Sequence, residues 1–309
     1  MRRVLILCLA AILPQCLGCY GWTTENDARM LVEPASVGGQ LALKFQGREQ
    51  RLIAKGQVSD AGSVTVEDGT TISYWVILHR VPNPVATARG TGRGTVVLLH
   101  PLMMSKSWFF SLGQKLADNG WDVVLPDLRG HGESTGKYIT WGAREKGDIK
   151  AVMDSLLARK IVSNQIYVCG ASLGGCVAVQ YAAYDSRCRG CLALCPPASF
   201  RQIAPRILPF VPQGELLDAR IKFAGEIAGF DPDDASAIKA AGKLRCPLIL
   251  VHGQWDAIVP YQHSEAIFGA AHQPKQLILQ PWKNHATVQI GQDDWLVEQI
   301  ESLSQMGRG

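Results

Sequence analysis

The chain carries little excess charge of either sign. Its 31 Lys and Arg against 27 Asp and Glu leave a formal net charge of +4, and two of those charges are Arg2 and Arg3 at the N-terminus. No basic stripe remains to follow a phosphate backbone, so nucleic acid is not an expected partner. Long apolar runs are also missing. The longest unbroken one, Val4 to Leu13, has ten residues, whereas a helix crossing a bilayer core needs roughly 20. The 31 Gly and 16 Pro follow no period, which excludes collagen-like and low-complexity chains. What the chain does have is a hydrophobic fraction of 47% over 309 residues. That is enough for a sizeable core, suits one large α/β domain, and excludes wholesale disorder.

The N-terminus reads as an export signal. Arg2 and Arg3 precede the apolar run, Pro14 ends it, and Cys16-Leu17-Gly18-Cys19 follows. This resembles the bacterial lipobox, with Cys16 where leucine is usual. The resemblance implies lipidation at Cys19; the alternative is an ordinary signal peptide cut nearby. The expected organisation is a signal peptide over 1–18, a tether and lead-in over 19–55, and the main domain over 56–304. The expected location is periplasmic or cell-envelope, touching a membrane only through that anchor.

Six cysteines fall in the main domain: Cys169, Cys176, Cys188, Cys191, Cys195 and Cys246. An even number in an oxidising compartment permits disulfides. The apolar setting of Cys191 to Cys195 favours core packing. With no histidine or fourth cysteine close by, a metal site is not expected.

Short apolar runs alternate with helical spacing along the domain. Strands are predicted at 63–66, 71–78, 95–99, 121–125, 166–169, 191–195, 247–251 and 276–279. The first two flank Glu67-Asp68-Gly69, a hairpin signal. Helices are predicted at about 105–118, 141–160, 173–185, 262–270 and 287–304. Runs of four to six apolar residues with helices between them mark a mostly parallel sheet covered on both faces. Between about 197 and 243 no strand appears. Five prolines there surround Phe200, Ile207, Leu208, Phe210 and Val211, which reads as a small cap insertion, too apolar for a free loop.

Gly170-Ala171-Ser172-Leu173-Gly174 matches GxSxG. Alone the match is weak, but it follows a predicted strand and opens a predicted helix, as the motif requires. A serine needs a base, and the base needs an orienting acid. In the order Ser, Asp, His the chain supplies Asp256, beyond a strand end, and His285, after the last strand. Asp231, Asp233 and Asp234 near the cap are rival acids.

With LLHPL (98–102), PDLRGHGES (126–134), GASLGG (170–175), HGQWDAIVP (252–260) and NH (284–285), the sequence resembles the α/β-hydrolase fold family. The likeness is to its serine-aminopeptidase and lysophospholipase-like branch and covers roughly 63–304. It implies a twisted, mostly parallel sheet of about eight strands. It also implies Ser172 as nucleophile, His285 as general base and Asp256 as the acid orienting it. The amides of Leu102 and Leu173 would form the oxyanion hole, although Pro101 stands where the family has glycine. His131 is structural in such proteins. His100 and His252, at strand ends, are read as hydrogen-bonding loops. Met103, Trp108, Phe200 and Phe210 are candidates for the substrate pocket.

The function expected is cofactor-free cleavage of carboxylic esters, the partner being a small ester or acyl substrate. An aminopeptidase is the alternative, with Glu215, Asp218 and Glu226 as candidate amine ligands. Acyl transfer to an alcohol uses the same residues. An inactive hydrolase fold serving as a binding protein is the reading from another class. A dehalogenase is disfavoured because it would need a carboxylate at Ser172.

Overall fold

Among the described residues eight strands form one sheet, and the side chains of each inner strand divide between two apolar layers. The computed structural model describes residues 24–33, 52–79 and 93–306; the leader 1–18 and Cys19 lie outside them. The strands are β1 (Asp60–Thr65), β2 (Thr71–Ile77), β3 (Thr95–Leu99), β4 (Asp122–Pro126), β5 (Ile166–Ala171), β6 (Cys188–Leu194), β7 (Leu248–Gly253) and β8 (Lys275–Gln280). Their order is β1-β2-β4-β3-β5-β6-β7-β8. β1 and β2 pair antiparallel, β2 meets β4 antiparallel, and every later pairing is parallel. The β1–β2 turn is the one expected: Val66 N–H donates to Thr70 O at 2.8 Å, and Thr70 N–H to Asp68 Oδ1 at 3.0 Å.

β3, β4, β5, β6 and β7 are buried along almost their whole length, which explains why they read as unbroken apolar runs rather than alternating ones. On one face Val97, Leu99, Val168, Ala193 and Leu250 pack under helices α3 (Glu145–Ala158) and α4 (Leu173–Tyr184). On the other, Val96, Leu98, Cys169, Leu192 and Val251 pack under α2 (Phe110–Asp118) and α9 (Asp293–Met306). All six domain cysteines are free, buried thiols.

One expectation fails. Residues 24–32, inside the stretch read as a tether, form helix α1 (Thr24–Val32). Its buried face, Ala28, Leu31 and Val32, joins the core. Trp141 Nε1 donates to Leu31 O at 2.8 Å and Arg220 Nε to Asp27 Oδ2 at 3.2 Å. A helix of nine residues has no stability of its own in water. This one exists through partners more than a hundred residues away, which no local pattern reveals.

Between β6 and β7 come α5 (Phe200–Ile207), α6 (Glu215–Ala228), a 3-10 turn (Pro232–Asp234) and α7 (Ala237–Ala241). Ser199 and Ser236 cap α5 and α7 by accepting from the amides of Gln202 and Lys239. Helix α8 (Gln262–Ala270) then joins β7 to β8. Among the described residues no helix is long and apolar enough to cross a membrane.

Candidate active site

β3 continues to β4 on one side of the sheet, while β5 lies on the other side of β3. This is a topological switch point, and crevices in open α/β sheets form where loops diverge there. Leu102 follows β3 and Ser172 follows β5. Asp256 and His285 follow β7 and β8, at the same end of the sheet.

Ser172 has φ 53° and ψ −119°, a conformation that costs a non-glycine residue about 1–3 kcal/mol and persists only where packing enforces it. Two glycines do the enforcing. A Cβ on Gly170 would fall 2.1 Å from Gly174 O, and one on Gly174 would fall 2.1 Å from Leu99 O and 2.6 Å from His100 O. The turn therefore sits directly on the end of β3, bringing the 100–102 loop beside the start of α4. Leu173 is the first residue of that helix, where an amide has no intrahelical acceptor. Ser172 N–H donates to Leu194 O at 2.8 Å, tying the turn to β6.

His285 Nδ1 donates to Asp256 Oδ2 at 2.6 Å. Asp256 Oδ1 accepts from the amides of Ile258 and Val259, each at 2.9 Å. Burial alone would raise this carboxyl, but the two imidazoles beside it, His285 bonded at 2.6 Å and His252 at 3.3 Å, hold it well below the usual carboxylate range. Asp233, by contrast, pairs with Arg201, and Asp231 caps the 3-10 turn. His252, read from the sequence as a loop ligand, is fully buried. Its Nε2 donates to Val259 O at 2.8 Å, Nδ1 accepts from Ser264 Oγ at 2.7 Å, and Nε2 lies 3.3 Å from Asp256 Oδ2.

The loop before α2 is held by a buried ion pair that sequence reasoning missed. Asp127 Oδ1 accepts from Lys106 N at 2.6 Å, and Oδ2 from Lys106 Nζ at 2.6 Å and Glu133 N at 2.9 Å. Gly132 leaves the space: a Cβ there would lie 2.3 Å from the Asp127 carboxylate. His100 and His131 sit edge to face beneath this loop, ring centroids 5.0 Å apart.

The pocket candidates part company. Trp108 is half-buried, its Nε1 donating to Gln289 Oε1 at 3.2 Å, and Gln289 Nε2 donates to His285 O at 2.9 Å. Met103 has φ 66° and is half-buried. Phe200 is fully buried between Trp141 and Phe230, so its ring packs the core. Phe210 is exposed on the insertion. Two further aromatic residues, Trp255 and Trp282, meet edge to face at 4.7 Å on the loops that carry Asp256 and His285. They are 61% and 72% exposed. The adjacency of Trp255 to Asp256 was a readable signal for them.

Among the described residues one group of three metal-ligand types converges: Cys195, Asp256 and His285, with donor atoms within 4.8 Å of one another. The short Asp256–His285 hydrogen bond fills that space. Burial, with Asp256 beside it, pushes the Cys195 thiol well up, away from the thiolate a metal requires.

A family model described as alpha/beta hydrolase fold matches residues 94–215. An esterase of Pyrococcus furiosus, Pf2001, is similar in structure with TM-score 0.61 and 22% identity, over 81% of this chain and 91% of that one. The chain has the α/β-hydrolase fold. A puromycin-hydrolyzing peptidase of Mycobacterium tuberculosis shares it with TM-score 0.63 and 17% identity, over 81% of this chain and 40% of that one. In sequence, the chain is 27% identical to the uncharacterized protein YqkD of Bacillus subtilis, over 69% of this chain and 68% of that protein. It is 28% identical to the uncharacterized protein YfhR of Escherichia coli, over 72% and 71% respectively. In α/β-hydrolase terms, Ser172 occupies the turn between β5 and α4, and Asp256 and His285 the loops after β7 and β8.

Proposed function

We propose that the protein is a serine hydrolase that cleaves carboxylic esters through an acyl-enzyme on Ser172. The observation that carries the reading is the strained Ser172 turn at the same sheet end as the hydrogen-bonded His285–Asp256 pair. With Nδ1 bonded to Asp256, the Nε2 of His285 is the nitrogen left to take the Ser172 proton. Ser172 Oγ then attacks the ester carbonyl, and the developing oxyanion is received by the amides of Leu173 and Leu102. Each such donor contributes about 3–4 kcal/mol when judged by its removal. His285 passes its proton to the leaving alcohol, then activates a water that releases the acid. The scheme uses side chains and backbone alone.

Two observations favour an ester over a peptide with a free amine. Of the three cap acids suited to an ammonium group, Asp218 pairs with Arg201 at 3.2 Å and Glu226 with Lys222 at 4.0 Å, and Glu215 stands in the first turn of α6. The aromatic pair Trp255–Trp282 and Trp108 offer apolar surface near the site, which suits an acyl or aryl group. On the leader's pattern, the enzyme works in the cell envelope, anchored by a lipid on Cys19.

The test is hydrolysis of p-nitrophenyl esters from acetate to palmitate, with Ser172→Ala as control and aminoacyl p-nitroanilides alongside. Ser172-dependent turnover peaking at one acyl length is the expected result. Turnover on the anilides alone would replace this reading with an aminopeptidase, and silence from folded protein with a binding role.

A further inference from the structure

Three of the six buried thiols, Cys188, Cys191 and Cys246, gather at the N-terminal end of β6 and β7, opposite the end that carries Ser172. In the parallel register Cys191 lies beside Leu248, and Cys191 N–H donates to Pro247 O at 3.0 Å. Counting back, residue 189 comes opposite Cys246. Regular alternation would then send Cys188 to the face away from Cys191. The ladder is irregular here: β5 pairs Ile166 with Cys188 but Tyr167 with Gly190, so Arg189 is an extra residue. The bulge returns Cys188 to the side of Cys191, and Cys188, Cys191 and Cys246 all pack in the same apolar layer. The Cys188 thiol donates to Gly190 O at 3.4 Å, and Cys188 and Cys246 lie close enough to perturb each other's thiols. They are also the two most exposed cysteine residues of the six, at 6% and 9%, where the other four are fully buried.

We infer that Cys188 and Cys246 form a dithiol modification site that closes to an intramolecular disulfide by exchange with a disulfide-type oxidant. The Cys246 thiolate attacks one sulfur of the oxidant RSSR, forming a mixed disulfide and releasing RS⁻. The Cys188 thiolate then attacks the Cys246 sulfur, forming the Cys188–Cys246 bond and expelling the second RS⁻. The two protons lost by the protein reach the leaving thiols, so one RSSR becomes two RSH. Cys246 is the first attacker because it is the more exposed residue of the two, and its thiol is held below the usual range beside Cys188.

The cross-link encloses β6 and the whole insertion of α5 to α7, and ties the start of β6 to the segment entering β7. A bond closing so long a loop restricts the unfolded chain. It leaves the far end of the sheet, with Ser172, untouched.

The experiment compares the full chain kept in dithiothreitol with the same chain incubated with oxidised glutathione, both folded, followed by non-reducing peptide mapping. The expected result is a Cys188–Cys246 cross-linked peptide and a rise in Tm of about 10 °C. Ester turnover stays unchanged, and Cys188→Ala/Cys246→Ala shows no redox-dependent Tm. In Cys188→Ala alone, Cys246 is trapped as the glutathione mixed disulfide. Absence of the cross-link from the folded oxidised protein, a different pairing such as Cys188–Cys191, or formation only in urea would overturn the inference. The mapping needs no variant, so a poorly folding mutant does not decide the outcome.

Discussion

His252 Nε2 lies 3.3 Å from Asp256 Oδ2, the same oxygen that accepts from His285 Nδ1 at 2.6 Å. Two imidazoles thus face one carboxylate, and only one of them is open to the site. The buried one is fixed from behind by Ser264 and Val259. Its contact with Asp256 places it to position that carboxylate.

His252→Ala is expected to lower kcat about 10-fold with KM near native, since it removes a polar contact to the carboxylate and a buried hydrogen bond to Val259, each worth about 1 kcal/mol. One of the contacts that hold Asp256 down is then lost while His285 and the two amides remain, so the Asp256 pKa rises. The acid limb of the kcat profile therefore moves to higher pH. A purely structural role would lower Tm and leave that limb in place.

The strain at Ser172 gives a second prediction. Ser172→Ala and Ser172→Gly both abolish turnover, by about 10³-fold or more. Only glycine accepts φ 53° freely, so Ser172→Gly is expected to be at least as stable as Ser172→Ala, by about 1 kcal/mol. Urea unfolding of the two variants checks this. A less stable glycine variant would show that the turn is not strained.

Asp127→Asn is expected to destabilise the fold by about 3–5 kcal/mol, because it leaves the fully buried Lys106 ammonium without its principal partner. The loop that carries Leu102 runs into Lys106, so residual folded enzyme should lose kcat as well. Lys106→Met/Asp127→Leu, which removes both charges, should recover much of the stability but not the loop's geometry. Chemical denaturation and ester kinetics on the two variants separate these effects.

Acid sensitivity follows from histidines held neutral inside the fold. His100 Nε2 accepts from Leu128 N at 3.0 Å, and His263 Nδ1 from Ala198 N at 3.1 Å. Burial pushes His100 and His131 down, and takes His263 from 6.5 to about 4. Each keeps its native state neutral while the unfolded chain protonates, so its contribution is complete above pH 6.5. For His263 it is lost as pH falls from 6.5 towards about 4. The urea midpoint should fall over this range, and His263→Asn should flatten part of the slope. A midpoint independent of pH between 7 and 5 would contradict it.

The sheet was largely legible because strands buried on both faces, such as Thr95–Leu99 and Leu248–Gly253, have no polar side to disguise them. The serine turn was legible because close backbone approach leaves glycine as its only solution at 170 and 174. Helix α1 was not, since its apolar face is completed by Trp141 and α6. Nor did an apolar side chain in the insertion declare what it would face: Phe200 went to the core and Phe210 to the surface. The double imidazole on Asp256 was hidden for a similar reason. It depends on Ser264, a turn of helix α8 folding back on β7.

Whether Ser172 is an activated nucleophile is tested most directly by its covalent capture. The full folded chain is treated with a fluorophosphonate, digested, and the modified peptide sequenced by mass spectrometry, beside Ser172→Ala and His285→Ala. One label is expected, on Ser172, absent from Ser172→Ala and formed far more slowly in His285→Ala. Folded protein that takes no label, or takes it at another residue, would contradict it.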